Sequence, residues 1–251
     1  MKAIAVIPAR MGSSRYPGKP LAPLLGRPMI EHVYRRARLC AGLAEVIVAT
    51  CDDEIRAAAE GFGAPVAMTS DRHERASDRV AEAAARSDAD VIVLLQGDEP
   101  MIYPEMIAAA IAPFAKEGDV RCVNLTKRIA TEAEFLNPNT IKVVMDGKND
   151  ALFMSRQPIP TRPKGSFAAI AAYKQVCVIP FRRDALAQYT RLAPTPLEIV
   201  ESIDMLRFLE HGLPVRMVET AFDSHSVDVP DERVKVEALL RDDPLVARYV
   251  R

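Results

Sequence analysis

Basic residues crowd a short, irregular segment near the start of the chain. Between Pro8 and Leu21 the sequence PARMGSSRYPGKPL, here named the opening loop, places Arg10, Arg15 and Lys19 among glycines, serines and prolines. Glycine lets backbone N–H groups approach an anion closely, and guanidinium and ammonium groups neutralise its charge. We predict that the opening loop binds phosphate groups. The alternative is an exposed basic loop stiffened by proline.

The opening loop matches neither of two common nucleotide-binding signatures. Five residues separate Gly12 from Gly18 where a Walker A motif has four, and Lys19 is followed by proline instead of serine or threonine. The GxGxxG fingerprint of dehydrogenases is also missing. Cations are nevertheless interleaved with these glycines and with Ser13 and Ser14, so the loop suits a polyphosphate without implying either fold.

Two acidic motifs, far apart in sequence, are candidates for holding a metal ion. Asp98 and Glu99 follow an apolar run in LLQGDEP, and Asp228 precedes a proline in SVDVPDE. Carboxylates there can hold Mg²⁺, which bridges phosphate oxygens during displacement; the alternative at Asp98 is an Asx turn. Asp231 better suits the start of a helix. We predict that Asp98 and Asp228 bind Mg²⁺, provided that the fold brings them together.

The polar stretch DRHERASDR at 71–79 has two interpretations. Solvated surface is the default, but its position after the third predicted strand makes it a candidate for contacting a nucleobase or ribose. Neither a Ser-His-Asp nor a Cys-His arrangement stands out in the sequence. Attack by a bound acceptor on a nucleotide phosphate, with no covalent enzyme intermediate, is therefore the favoured chemistry.

Composition excludes several classes of partner. The 251 residues carry a net charge of −1 and 6% aromatic residues without tryptophan, which disfavours nucleic acid. Apolar runs stay well short of the roughly 18 residues of a membrane span. The four cysteines form no CxxC pair, so free thiols in a reducing compartment are expected. We predict a cytoplasmic protein with no nucleic-acid or membrane partner.

Apolar strands alternate with amphipathic helices over the first part of the chain. The runs AIAVIP, EVIVAT, PVAMTS and DVIVLL are typical of buried parallel strands between helices. After about residue 118 the strands follow one another more closely, and KQVCVIPF and HSVDV are each interpreted as one strand. PLEIVESIDMLRFLEHG is predicted as one long helix, YPEMIAAAIAPFAKEG as another, and Ser77 as a helix N-cap.

These patterns predict an α/β fold in which helices flank a mostly parallel, Rossmann-like central sheet. We expect one domain, 1–251, with a small antiparallel insertion at about 150–195 that serves dimerisation. Ligands of open α/β sheets bind outside the carboxyl ends of the strands. The opening loop and LLQGDEP both follow predicted strands, so both are expected at that edge.

The motifs resemble those of the 3-deoxy-manno-octulosonate (Kdo) cytidylyltransferases, or CMP-Kdo synthetases. Segments such as IPARMGSSRYPGKPLAPLLGRPMIEHVYRRA, LLQGDEPMI, NPNTIKVVMD, ALFMSRQPIP and VDVPDE occur in the family's order along nearly the whole chain. The resemblance implies a cytoplasmic, Mg²⁺-dependent homodimer with a fold like that of nucleotide-diphospho-sugar transferases. It also implies transfer of CMP from CTP to the anomeric hydroxyl of an eight-carbon keto-sugar acid, with release of pyrophosphate.

The resemblance also implies roles for individual residues. Matching positions suggest that CTP contacts Pro8, Arg10, Ser13, Lys19, Arg79 and Gln96. Catalysis is assigned to Lys19, Asp98 and Asp228, and metal binding to the two aspartates. The acidic acceptor is expected to contact Arg15, Arg156, Gln175 and Glu201.

Departures from the family pattern concentrate on the acceptor side. Gln175 replaces a histidine, Ile179 and Phe181 replace tyrosines, Met205 replaces a glutamine, and Arg75-Ala76-Ser77 replaces Ser-Gly-Thr; the Arg/Asp pattern after IP is altered to TRPK. A site built around substrate hydroxyls discriminates through its own polar groups. The acceptor could therefore be Kdo, a related acid or a phosphonate. A sugar-phosphate nucleotidyltransferase, or a nucleotide-binding module without catalysis, would also account for the basic loop.

Overall fold

The fold is described from a computed structural model of the chain, which covers residues 1–13, 15–161 and 167–250. Ser14 and most of the TRPK segment, 162–164, lie outside the described residues. The described strands are β1 (Ala3–Ala9), β2 (Pro23–Leu24), β3 (Arg27–Pro28), β4 (Glu45–Thr50), β5 (Val66–Met68), β6 (Val91–Leu95), β7 (Val123–Arg128), β8 (Lys142–Met145), β9 (Ala151–Ser155), β10 (Tyr173–Val176), β11 (Val178–Arg182) and β12 (Arg216–Glu219).

The helices lie between and after these strands. In chain order the described ones are α1 (Met29–Arg38), α2 (Asp53–Gly61), α3 (Ala76–Ala84), α4 (Pro104–Ile111), α5 (Pro113–Lys116), α6 (Glu132–Leu136), α7 (Arg183–Tyr189), α8 (Pro196–Glu201), α9 (Leu206–Glu210) and α10 (Pro230–Arg241). Short 3₁₀ turns cover Lys19–Leu21, Phe167–Ala169 and Val246–Arg248. Within the described ranges, no helix is long and apolar enough to span a membrane.

β1 lies at the centre of the first sheet, which has the strand order β11-β6-β1-β4-β5. It pairs in parallel with β4 and β6, and β4 pairs in parallel with β5. β11 runs antiparallel to β6 at one edge. Every residue of β1 is buried, as expected for a strand covered on both faces. The predicted α/β fold with a mostly parallel central sheet is confirmed.

Alternate side chains of β1 point into two different apolar clusters. Ala5 and Ile7 pack in a cluster with residues of α1, α2 and α4. Ile4 and Val6 pack in the other cluster, with residues of α3, α7 and α9. Helices therefore cover both faces of the first sheet.

The second sheet has the strand order β12-β7-β10-β8-β9. β12 is parallel to β7, and the remaining pairs are antiparallel. The stretch at about 150–195, predicted as an antiparallel insertion, supplies β9 and β10, whereas β7, β8 and β12 come from outside it. KQVCVIPF is divided at Cys177, because β10 pairs within the second sheet and β11 with β6 of the first. The prediction of one strand there was wrong.

Two predicted long helices are divided in the structure. The helix predicted over 196–212 ends at Glu201, because Ser202 adopts a left-handed conformation with φ 52° and ψ 53°, and α9 begins only at Leu206. The other is interrupted between α4 and α5 at Pro113, since proline lacks the N–H that would continue the ladder.

Two smaller predictions were also wrong. The N-cap of α3 is Arg75, not Ser77, whose hydroxyl donates to Asp204 Oδ2 at 2.9 Å. Among the described residues, HSVDV forms no strand. This segment is attached to the end of β6 by a backbone hydrogen bond from Val227 N to Asp98 O, at 2.9 Å.

Candidate functional site

The opening loop leaves the carboxyl end of β1 and is folded by local contacts. Met11 N donates to Asp52 Oδ2 at 2.8 Å, and Gly18 N donates to Met11 O at 3.1 Å. Gly18 has a φ of 71°, a left-handed conformation that glycine adopts without a steric cost. Because Lys19 follows this turn directly and starts a 3₁₀ turn, its side chain is aimed back across the end of the sheet.

The end of β6 approaches the end of β1 closely. A Cβ atom at Gly97 would lie 3.2 Å from Pro8 O, a contact that larger residues could make only by displacing the backbone. The glycine of LLQGDEP therefore lets Gln96 and Asp98 lie beside the start of the opening loop.

Two neighbouring cavities open at this edge. The first, of about 670 Å³, is lined by the opening loop, the polar stretch 71–79 and the end of β6. The second, of about 270 Å³, is lined by residues from the ends of β6, β8 and β10 and by the segment before α10. The residues that line both cavities, here named the shared wall, are Arg15, Gln96, Asp98, Asn139, Arg156, Ser202 and Asp204.

Asp98 and Asp228 converge on one lysine between the cavities. Lys19 Nζ lies 2.5 Å from Asp98 Oδ2 and 3.5 Å from Asp228 Oδ1. Arg15 Nη2 donates to the same Asp228 oxygen at 2.9 Å and Arg15 Nη1 to Asn139 Oδ1 at 3.1 Å. The condition set by the sequence, that the fold brings the two aspartates together, is met. The hydrogen bond from Val227 to Asp98 holds the neighbouring Asp228 in place.

The described lining of the second cavity combines carboxylates with cations: Asp98, Glu99, Asp204 and Asp228 with Arg15, Arg156 and Lys174. Burial raises the pKa of Glu99 to about 7, and the nearby Asp98 and Asp228 carboxylates act in the same direction, while a hydrogen bond from the Ser224 hydroxyl opposes them. Burial also raises the pKa of Asp204. Burial out of water is the main cause of both shifts, and at Glu99 repulsion from the neighbouring carboxylates adds to it.

The chemistry of the donor set fits Mg²⁺. Within residues 1–13, 15–161 and 167–250, no group of three or more His, Cys, Asp or Glu side chains is arranged to hold a metal. A site built on Asp98 and Asp228 alone would leave further positions to phosphate oxygens and water. Mg²⁺ is commonly bound in this way, by one or two carboxylates with a substrate phosphate.

Comparison with known proteins places the chain in a family. The family model described as Cytidylyltransferase matches residues 4–244. A 3-deoxy-manno-octulosonate cytidylyltransferase from Geobacter metallireducens is 46% identical over 245 residues, covering 94% of this chain and 96% of that protein. The chain belongs to the 3-deoxy-manno-octulosonate cytidylyltransferase family. It is therefore a nucleotidyltransferase, and the predicted resemblance is confirmed.

Solved structures agree with this assignment. A structure of CMP:2-keto-3-deoxy-manno-octonic acid synthetase complexed with CTP is 40% identical, covers 96% of this chain and 99% of its own, and superposes with a TM-score of 0.89. A cytidylyltransferase from Leptospira borgpetersenii is 16% identical, covers 96% of this chain and 87% of its own, and has a TM-score of 0.66. The second likeness shows the fold alone.

The residues that family resemblance assigned to CTP all lie at the first cavity. Its lining includes Pro8, Arg10, Ser13, Lys19, Arg79 and Gln96. Arg79 is almost entirely buried and donates to the Thr69 hydroxyl, so its charge lies beneath the cavity surface. The stretch 71–79 also contributes His73, Glu74 and Arg75, in keeping with the less favoured interpretation of that stretch.

Three of the four residues assigned to the acceptor line the second cavity, and one does not. Arg15 and Arg156 belong to the shared wall, and Gln175 lines the second cavity with its amide donating to Asn124 Oδ1 at 2.5 Å. Within the described chain, Glu201 lines neither cavity. Its carboxylate accepts hydrogen bonds from Ser155 Oγ at 2.7 Å and from the Arg156 backbone N–H at 2.8 Å, which positions Arg156.

Some of the departures from the family pattern line the second cavity, and others are buried away from it. Ile179 lines the second cavity beside Gln175. Phe181 and Met205 are fully buried in an apolar cluster, and in the described chain they line neither cavity. Only Gln175 and Ile179, of these four replacements, can therefore change contacts with an acceptor directly.

Sequence reasoning missed Asn139, Ser202 and Asp204 of the shared wall. Asn139 lies in a turn between α6 and β8, and the other two lie in the break between α8 and α9, which the predicted long helix concealed. The NPNT motif and the polar residues Ser202 and Asp204 within ESID were the available signals.

Proposed function

We propose that the protein transfers CMP from CTP to the anomeric hydroxyl of Kdo or a closely related keto-sugar acid and releases pyrophosphate. The observation that carries this proposal is the meeting of Lys19, Asp98 and Asp228 between the two cavities. A relative that is 46% identical carries the name of this activity, and a similar structure was solved as a CTP complex.

The first cavity supplies the positive charge that a triphosphate requires. Arg10 and Lys19 of the opening loop neutralise the phosphates, and backbone N–H groups near Gly12 can approach them closely. Arg79 and Gln96 lie where they can contact the cytosine and ribose. The role of these side chains is to hold the α-phosphorus facing the second cavity.

The second cavity positions the acceptor for attack. Arg15 and Arg156 offer guanidinium groups to the acceptor carboxylate, and Gln175 offers an amide to a hydroxyl. The anomeric oxygen then forms a bond to the α-phosphorus while the bond to the pyrophosphate oxygen breaks, and the hydroxyl proton passes to solvent. Arrangement of both substrates in line is the main contribution of the protein.

Asp98 and Asp228 would hold Mg²⁺ at the shared wall. Bound there, Mg²⁺ supplies charge stabilisation for the phosphate oxygens in the displacement. The Lys19 ammonium already lies between these carboxylates. When CTP binds, Lys19 can turn from these carboxylates to the triphosphate oxygens. The Lys19 ammonium would then be replaced by Mg²⁺ as the positive charge beside Asp98 and Asp228.

We also propose a cytoplasmic homodimer. Ile199 and Val200 of α8 are 59% and 81% exposed, and Leu152 of the edge strand β9 is 63% exposed. The Ser155–Glu201 hydrogen bond joins the ends of β9 and α8, so this apolar surface suits a second copy. The four cysteines are free thiols, which suits a reducing compartment. Light scattering should report a dimer for the wild type and a monomer for Val200→Glu, and a monomeric wild type would contradict the proposal.

The experiment that tests the proposed reaction is a pyrophosphate-release screen. The purified protein is mixed with CTP and Mg²⁺ and with Kdo, a sialic acid, a small phosphonate or a sugar 1-phosphate in turn. We expect release with Kdo or a related keto-sugar acid, and far less with ATP in place of CTP. Release of pyrophosphate only with the phosphonate or the sugar phosphate would contradict the assignment of a keto-sugar acid as the acceptor.

A further inference from the structure

Lys142, the first residue of β8, is a buried cation that no step of the proposed reaction uses. Its relative exposure is 0%. The Nζ atom donates to Asn137 O at 2.9 Å, to Thr140 O at 2.6 Å and to Arg156 O. An ammonium has three donors, and here each has a backbone carbonyl, so the group is fully satisfied without solvent or a carboxylate.

Those three carbonyls belong to two segments that form the shared wall. Asn137 and Thr140 enclose a turn in which Thr140 N donates to Asn137 O at 3.1 Å and Asn139 N to Asn137 Oδ1 at 2.9 Å. Arg156 follows β9 and donates from Nη1 to Pro138 O of the same turn at 3.2 Å. Lys142 therefore links the turn to the Arg156 backbone beneath the surface. The Arg156 guanidinium makes a second link to the turn, at the cavity surface.

The 137–140 turn also carries the contact to the catalytic carboxylates. Asn139 Oδ1 accepts from Arg15, whose other terminal nitrogen donates to Asp228. Displacement of the turn would change the positions of Asn139, Arg15 and Arg156 together. The residues assigned to CTP are not among the described hydrogen-bond partners of Lys142 Nζ; the opening loop meets the turn through Arg15, which is assigned to the acceptor.

We infer that Lys142 is a positioning residue for the acceptor: its buried ammonium fixes the 137–140 turn and Arg156 in the arrangement that binds the sugar acid. The consequence for binding rests on the proposed function, whereas the consequence for the turn does not. Loss of the ammonium removes a hydrogen bond from three backbone carbonyls at once, which is costly. Because Asn137 is exposed and Thr140 and Arg156 are half-buried, the turn and Arg156 can move toward water.

The test compares Lys142→Met, which keeps the length of the side chain and removes its charge, with Lys142→Gln, which restores part of the donor capacity. Lys127→Met is the matched control, because Lys127 on β7 also donates to a backbone carbonyl, Ala221 O at 2.9 Å, away from the turn. Asn137→Ala loosens the same turn at an exposed position and serves if the buried variants do not fold.

Hydrogen exchange is measured at the amides of Asn139, Thr140 and Arg156, and KM is measured for Kdo and for CTP. For Lys142→Met we expect exchange at these amides and the KM for Kdo to rise about tenfold or more, with the KM for CTP within about threefold of wild type. Lys142→Gln should lie between Met and wild type, Asn137→Ala should raise the KM for Kdo, and Lys127→Met should change neither measurement.

Unchanged exchange at the turn in Lys142→Met, or an equal rise of both KM values, would overturn the inference. So would a normal KM for Kdo in Asn137→Ala combined with faster exchange. A wild-type protein that releases no pyrophosphate with any sugar acid would refute the proposed function instead. The exchange data would still decide whether Lys142 positions the turn.

Discussion

The two cavities share a wall but differ in charge and in origin. The first is lined mainly by segments that directly follow strands of the first sheet, and its cations come from the opening loop, from the stretch 71–79 and from Arg156. The second combines acidic and basic side chains from both sheets, the opening loop and the break between α8 and α9. Under the proposed function the two cavities divide the work: the basic one would bind the anionic donor, and the one of mixed charge would select the acceptor.

The largest expected effect is at the boundary between the cavities. Asp98→Asn keeps the shape of the side chain but removes the charge that Lys19 contacts and that the proposed Mg²⁺ site requires, so we expect turnover to fall about 10²–10³-fold with the fold intact. Pyrophosphate release and circular dichroism measure these two quantities. Asp231→Asn, at an exposed position in the first turn of α10, is the control. Near-normal turnover in Asp98→Asn would remove Asp98 from the metal site.

Ligand-induced stabilisation tests the identity of the donor in the first cavity. At about a hundredfold excess over Kd, CTP with Mg²⁺ should stabilise the protein by about 2.7 kcal/mol and raise Tm by about 5–10 °C. ATP and GTP should raise Tm less, because a purine is larger than cytosine and presents a different hydrogen-bonding edge. Equal shifts for the three nucleotides would contradict the cytidine assignment. Adding EDTA should reduce the CTP shift.

Removal of a single cation from the opening loop should change the KM for CTP without changing the KM for the acceptor. Arg10→Met removes a charge that faces the first cavity, and we expect the KM for CTP to rise about 10–100-fold with little change in the KM for the acceptor. Arg72→Met is the control, since Arg72 is exposed and lies outside the described linings. A matching rise in the acceptor KM would show that the cavities do not bind independently.

The smallest expected effect concerns acceptor choice in the second cavity. Gln175→His restores the residue of the family pattern, and we expect it to change kcat/KM for Kdo about threefold to tenfold without changing the KM for CTP. Met205→Gln also restores a family residue, but Met205 is fully buried. It should lower Tm and leave acceptor preference unchanged. If Met205→Gln altered acceptor preference instead, acceptor recognition would extend beneath the cavity surface.

Sequence alone predicted the first cavity better than the second, for a physical reason. The opening loop and Asp98 directly follow buried strands, and parallel strands bring such segments to one edge of a sheet. Asp228 is held beside Asp98 by the hydrogen bond from Val227, which no periodicity encodes. Asp204 and Ser202 enter the shared wall because Ser202 ends α8 in a left-handed conformation, and a pattern of apolar residues cannot reveal that break.

The crossover at Cys177 limits how the molecule can move. One residue separates β10 of the second sheet from β11 of the first, so the layers are linked covalently over a very short span. Gln175 and Ile179 lie on either side of it, so a relative displacement of the two sheets at this point would move both residues of the second cavity.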